Sequence, residues 1–139
     1  MLQQALDFKA ENDALYELLK PLSDADFERK TLFKDWTIND VMQHLHYFNY
    51  AAHLSLDDED GILKLLADLR AAGEKGEEMV PYTDRMLDGV RGQALLKLWH
   101  DYYENMIGGE LSVTGTFDDL APGQPLQGQI LVRDYRVVN

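Results

Sequence analysis

The sequence predicts a mainly α-helical domain followed by a short tail of strand-like character. Apolar residues recur at helical spacing through residues 1–107, whereas from Leu111 onward they alternate with polar residues as in β-strands. The Gly108-Gly109 pair separates the two patterns, so we place the boundary between a helical bundle and an atypical tail, residues 108–139, at this pair. The 139-residue length allows a sizeable core, and the absence of cysteine excludes disulfides and thiolate metal sites.

The first helix is predicted from residue 3 to residue 20, where Pro21 ends it. Its apolar residues fall largely on one face, which we expect to pack on the core: Ala5, Leu6, Phe8, Leu15, Leu18 and Leu19. Ser23 and the acidic residues after it suit the start of a short helical segment through Phe27. Residues 31–35 then form a connector to the second helix.

The second helix is predicted from Ile38 to about Leu54. Thr37 followed by Asp40 resembles a capping box in which aspartate replaces the usual glutamate or glutamine. A stripe at helical spacing is expected to face the core, with Trp36 just outside the helix; the stripe comprises Val41, Leu45, Phe48 and Ala52. His44 lies on the flank of this stripe, which directs its ring toward the interior.

Three more helical patterns follow. The acidic run Asp57–Asp60 suits the N-terminus of a third helix over Ile62–Leu69, and it lacks the alternating ligands and central glycine of a calcium loop. A short helix begins near Pro81 and ends near Gly89. The last helical pattern runs from Leu95 to Ile107, and its aromatic residues, Trp99, Tyr102 and Tyr103, suit either the core or the lining of a pocket.

The tail has the pattern of a β-hairpin. Leu111–Phe117 and Ile130–Val138 favour strands, and a turn cluster rich in proline and glycine lies between them at residues 121–125.

The net charge of −12 bears on partners and location. Nucleic-acid binding depends on Lys and Arg that neutralise phosphates, so we expect no nucleic-acid partner, and anionic membrane surfaces are disfavoured for the same reason. The sequence shows no signal peptide and no apolar run that approaches the length of a membrane span. A cytoplasmic location is therefore expected.

One pattern carries a resemblance to a known family. Trp36-Thr37-x-x-Asp40-Val41-x-x-His44-Leu45 resembles the second-helix signature of DinB/YfiT-like metal-binding proteins, and in particular the N-terminal domain of mycothiol-dependent maleylpyruvate isomerases. Residues 2–8, 22–27 and 33–36 are also similar to that group, so the resemblance covers residues 1–107. It implies an antiparallel four-helix bundle. Here the bundle is incomplete, or its last helix is replaced by the strand-like tail.

The resemblance also implies a metal site. In that family a histidine at the position of His44 is the first ligand, and a His/Glu-x-x-x-His pair on a later helix supplies the others, but this sequence lacks that pair. His100 and Glu104, four residues apart on the last helical pattern, can present two ligands to one ion. We therefore predict a zinc or nickel site with His44, His100 and Glu104. His46 and His53 are too far apart along their helix for one tetrahedral ion and are expected at the surface or rim.

Two functional hypotheses remain open. In the first, which the resemblance implies, the metal binds a low-molecular-weight thiol that attacks a small-molecule substrate, with Trp36 and Tyr47 shaping the pocket. In the second, the bundle has lost the metal and works as an interaction or oligomerisation module. No nucleophile elbow, phosphate-binding loop or His-Glu-x-x-His motif indicates another enzyme class, and no catalytic residue is assigned. An incomplete bundle leaves an apolar groove uncovered, so we also expect a homodimer with the tail contributing.

Overall fold

The computed structural model describes residues 3–106, with the backbone alone at Asp57, and the backbone of residues 110–117 and 126–133. Within these residues five α-helices follow one another, and a 3-10 helix, Asp24–Glu28, comes after the first. The α-helices are α1 (Gln3–Leu19), α2 (Ile38–Asp57), α3 (Glu59–Glu74), α4 (Met79–Met86) and α5 (Gly92–Glu104). The predicted mainly helical, bundle-like fold is confirmed. Helix α2 continues past its predicted end at Leu54.

The tail contains two strands, β1 (Glu110–Phe117) and β2 (Leu126–Arg133), which pair antiparallel with Val113 opposite Ile130. The predicted second strand, Ile130–Val138, starts too late, since β2 begins at Leu126. The predicted turn at 121–125 and residues 134–138 lie outside the described residues. The division of the chain into a bundle and a separate tail domain stays a prediction.

Helix α2 begins where the sequence places it because the capping box forms. The Asp40 backbone N–H donates to Thr37 Oγ1 at 3.1 Å, and the Thr37 backbone N–H donates to Asp40 Oδ2 at 2.8 Å. These bonds satisfy two of the backbone N–H groups that have no partner within the helix at the N-terminus of α2. Directly after the C-terminus of α2, Asp58 caps the N-terminus of α3, since its Oδ1 accepts from the Gly61 N–H at 2.9 Å.

The core of the described residues has two clusters. The first joins α5 to α1, α2 and the 3-10 helix, and its fully buried members include Phe27, Leu95 and Trp99. The second joins α2 to α3 and α4 around Tyr47, Leu65 and Tyr82. The Tyr47 and Tyr82 hydroxyls are 2.7 Å apart and form a buried hydrogen bond. Helix α2 takes part in both clusters and is therefore the central element.

The predicted core faces of α1 and α2 are partly wrong. On α1, Leu15 and Leu19 reach the first cluster, whereas Leu6, Phe8 and Leu18 are exposed. This helix packs mainly against α5, so only a narrow stripe is covered. On α2 the residues that are most buried are Asn39, Asp40, Met42, Gln43, His46, Tyr47 and Ala51, rather than Val41, Leu45, Phe48 and Ala52.

The error on α2 has a physical cause. Buried polar groups are tolerated when they are hydrogen-bonded, so a stripe chosen by apolarity alone misses a face that carries asparagine and glutamine. The same face carries His46, which is only 6% exposed, so the prediction that it lies at the surface or rim is wrong. Within the described residues, no helix combines the length and apolarity that crossing a membrane requires.

Candidate functional site

A pocket of about 420 Å³ opens on the flank of α2. Three parts of the chain line it: the loop that precedes α2, the first turns of α2, and the start of α4. The lining residues are Phe33, Lys34, Trp36, Val41, His44 and Met79. Apart from the imidazole and the lysine ammonium, these are apolar or aromatic groups, as is typical of small-molecule sites.

The loop before α2 is held in a defined shape. Lys30 and Thr37 pair as an antiparallel bridge, and the Thr31 N–H donates to the Trp36 carbonyl at 2.7 Å. Between them, Lys34 and Asp35 have φ values of 50° and 58°. Two consecutive non-glycine residues with positive φ are uncommon and store strain, which is a frequent property of binding loops. The closed loop therefore presents its side chains to the pocket in a fixed arrangement.

Aromatic rings form one wall of the pocket. The Trp36 ring meets Phe33 with centroids 5.2 Å apart and His44 with centroids 5.5 Å apart, both edge to face. The His44 ring also lies 4.6 Å from that of Phe48. Edge-to-face pairs of this kind hold rings in place, so the wall is ordered by contacts within the protein.

His44 is the polar group of this wall. The residue is half-buried, its Nδ1 atom is buried, and it forms no hydrogen bond with any residue that the structure describes. Burial lowers the pKa of His44 below its usual value of 6.5, so the ring is neutral at pH 7. A neutral imidazole can both donate and accept a hydrogen bond, and it can also bind a metal ion.

Comparison with known families explains the pattern around this histidine. Residues 8–106 match the family model of the mycothiol maleylpyruvate isomerase N-terminal domain. The chain belongs to this family. The family is part of the DinB-like superfamily, so the resemblance carried by Trp36, Thr37, Asp40, Val41, His44 and Leu45 is confirmed. No curated protein and no solved structure matches the chain.

The other two predicted metal ligands have different surroundings from His44. The His100 ring lies 4.0 Å from that of Tyr16, and its Nδ1 is 3.6 Å from Asp101 Oδ1. Glu104 accepts a hydrogen bond from Lys9 at 2.6 Å. Within residues 3–106 no three His, Asp or Glu side chains form a group that could hold a metal ion. The three-ligand site stays a prediction.

The donor set of the pocket does not fit a divalent metal ion. Among the six lining residues there is one imidazole, one thioether and one ammonium, and no carboxylate. Zinc and nickel sites need several nitrogen, oxygen or thiolate ligands, and a nearby ammonium repels a cation. The described lining of the pocket therefore does not by itself supply the ligands of a zinc or nickel site.

Several residues that sequence reasoning considered lie elsewhere. Trp36 lines the pocket as expected, but Tyr47 is buried in the second core cluster beside Tyr82. Trp99 and Tyr103 are core residues. Tyr102 lies between α2 and α5, where its hydroxyl is 2.6 Å from His53 Nδ1 and its ring meets His46 edge to face.

Sequence reasoning missed Lys34 and Met79. Lys34 lies within residues 33–36, which are similar to the family, but that similarity indicates no role for it. The positive φ of Lys34 has no local sequence signal such as glycine or asparagine. Met79 reaches the pocket from another helix, a contact that only the tertiary fold creates.

Proposed function

We propose that this family member binds an apolar small molecule in the pocket between the loop at residues 30–37, α2 and α4, and that it does so without a metal ion. The observation that carries this proposal is an ordered apolar pocket beside a neutral imidazole that lacks a hydrogen-bond partner among the described residues. The proposal shares the loss of the metal with the second sequence-based hypothesis, but replaces its interaction or oligomerisation role with small-molecule binding.

The dimensions of the pocket support this function. Its volume of about 420 Å³ lies within the range of about 300–1,000 Å³ that is usual for small-molecule sites. The aromatic wall and Val41 provide apolar contact area, and transfer of a ligand's apolar surface from water is favourable by about 25 cal/mol per Å². The His44 ring, which forms no hydrogen bond with a described residue, supplies one polar group for orientation.

The chemistry of the lining favours binding over covalent catalysis. The six residues include no serine, cysteine or carboxylate, and the Lys34 amine forms no hydrogen bond with His44 or another described base, so no activated nucleophile is present among them. His44 alone is a weak candidate for proton transfer, because no second group holds its ring nitrogens. The binding role therefore accounts for the site with the fewest additional assumptions.

Titration with the neutral fluorescent probe N-phenyl-1-naphthylamine tests the proposal. We expect a saturable rise in fluorescence with the wild-type chain. Val41→Phe fills the pocket and should weaken probe binding about tenfold or more, since overpacked sites lose their complementarity. Ala52→Phe adds the same ring to an exposed position of α2 and is the matched control, which should bind the probe as the wild type does. Equal binding by wild type and Val41→Phe would refute the site.

A metal-binding function is the second candidate, because His44 is neutral at pH 7 and has no hydrogen-bond partner among the described residues. Residues 3–106 do not complete a three-ligand group, so the ion would need further ligands from elsewhere. Elemental analysis of tag-free protein for zinc and nickel tests this candidate. His44→Ala should remove the metal and His53→Ala should retain it. A metal-free wild type, even after incubation with either ion, would exclude it.

A further inference from the structure

One charged group lines the otherwise apolar pocket. Lys34 belongs to its lining, and the Lys34 Nζ lies 5.4 Å from the centroid of the Phe33 ring. Asp35, the next residue along the chain, does not line the pocket. Lys34 is the one lysine or arginine among the six lining residues.

Lys34 has no anionic partner within the part of the chain that is described. Lys30 and Lys75 likewise form no ion pair among the described residues, whereas the other lysines do: Lys9 with Asp13 and Glu104, Lys20 with Glu17, Lys64 with Asp68, and Lys97 with Asp101. Among the described residues the Lys34 ammonium contacts an aromatic ring and no carboxylate, so it can pair with an anion that enters the pocket.

The backbone fixes the position of this cation. Lys34 and Asp35 have positive φ values, and the flanking hydrogen bonds, including Trp36 N–H to the Phe33 carbonyl at 2.9 Å, close the loop around them. Such strain persists only when surrounding contacts enforce it. The Lys34 side chain therefore leaves the backbone from a constrained point on the pocket wall.

We propose that the pocket takes a small monocarboxylic acid with an aromatic or similarly apolar body, with the body against Trp36, Val41 and Met79 and the carboxylate at the Lys34 ammonium. This inference rests on the proposed binding function and names its ligand class. A single ammonium without an arginine suits one carboxylate better than a phosphate, which draws on several donors or a bidentate guanidinium. The edge-to-face rings suit an aromatic body.

A matched pair of probes tests the ligand class. 3-Phenylpropionate and 3-phenylpropanamide have nearly the same shape and differ in charge, and their affinities can be compared by calorimetry or by displacement of the fluorescent probe. We expect the wild type to prefer the acid about fivefold, as an exposed ion pair allows. Lys34→Met keeps the apolar stem and removes the charge, so the preference should disappear while amide affinity stays the same.

Lys30→Met is the matched control, since Lys30 is exposed, lies in the same loop and does not line the pocket. It should keep the wild-type preference. Equal binding of acid and amide by the wild type, or a preference that survives in Lys34→Met, would overturn the ligand class and leave the proposed function standing. If neither compound binds and the fluorescent probe also fails, the proposed function fails and the ligand class fails with it.

Discussion

Two consecutive residues of α2 show how its faces differ. Gln43 is fully buried, and its Nε2 donates to Asp84 Oδ1 at 2.8 Å and to the Val90 carbonyl at 3.0 Å, although its Oε1 is buried without a partner among the described residues. His44, on the flank, forms ring contacts with Trp36 and Phe48 and no hydrogen bond within that part of the chain. One face joins the helix to the rest of the fold by hydrogen bonds. The other face carries an imidazole that forms no hydrogen bond with a described residue.

The inward face continues this pattern at Asn39. Its Oδ1 accepts from the Gly92 N–H at 2.7 Å, and its Nδ2 donates to Glu28 at 2.8 Å. Asp24 accepts from the next N–H of α5, that of Gln93, at 2.8 Å. Two side chains from other elements thus satisfy the first N–H groups of α5. We therefore expect substitutions on the inward face to change stability, and substitutions at the pocket to change binding.

The largest expected effect is at Gly92. This residue has a φ of 63°, and a Cβ added there would lie 2.3 Å from Asp24 Oδ1. Gly92→Ala should lower the free energy of unfolding by about 3 kcal/mol, because the strained backbone and the clash both weaken the cap of α5. A denaturant melt measures the change.

Gly73→Ala provides the control for that substitution. Gly73 lies within α3, and a Cβ there meets nothing within 4 Å. Alanine should stabilise this helical position by about 0.5–1 kcal/mol. If Gly92→Ala left stability unchanged, the geometry described for the α5 N-terminus would be wrong.

The next effect compares the two neighbours directly. Gln43→Ala removes two hydrogen bonds and leaves a cavity, so it should cost about 2 kcal/mol. His44→Ala breaks no hydrogen bond to a described residue and should cost about 1 kcal/mol or less, while it changes probe affinity. Melts and probe titrations of both variants measure the contrast. Equal costs would remove the distinction between the faces.

Sequence reasoning recovered the helices because their signals are local. The Thr37–Asp40 capping box, Pro21 and the apolar spacing each act within one or two turns, and each marks its element correctly. The core face of α2 was not recovered, since the burial of Asn39 and Gln43 depends on partners that arrive from α4, α5 and the 3-10 helix. The pocket was recovered in part, because Trp36, Val41 and His44 belong to the family signature. Met79 could not be predicted, since it reaches the pocket from α4.

The free energy of unfolding should depend on pH through His46, which lies on the inward face of α2. Burial lowers the pKa of His46 below its usual 6.5 in the folded state, so protonation favours the unfolded state. The stability that neutral His46 provides is therefore fully present above about pH 6.5 and is lost as the pH falls below it toward the folded-state pKa. Melts between pH 7.5 and pH 5.5 should show this loss, and His46→Gln should reduce it. The part that remains is expected from His44, whose pKa is also lowered by burial. An unchanged slope in the variant would rule out His46 as the source.

The smallest effect concerns association. Several apolar side chains are exposed on the described helices, including Leu6, Leu18, Leu63 and Leu66. We still expect a weak homodimer, because such residues are commonly covered in two-fold assemblies, and we expect residues 110–139 to contribute to it. Sedimentation at micromolar concentration should give a mass above the 15.9 kDa of one chain. A full chain that is monomeric, and that stays monomeric after residues 110–139 are deleted, would contradict the dimer.

The central claim is that the flank of α2, and not its inward face, receives a ligand. The two tryptophans report on it directly, since Trp36 lines the pocket and Trp99 is fully buried in the core. Their indole N–H signals can be followed by NMR during titration with 3-phenylpropanamide. The account predicts a saturable shift of the Trp36 indole and of the Lys34 amide, with the Trp99 indole unmoved. A stationary Trp36 signal, or equal shifts of both indoles, would contradict it.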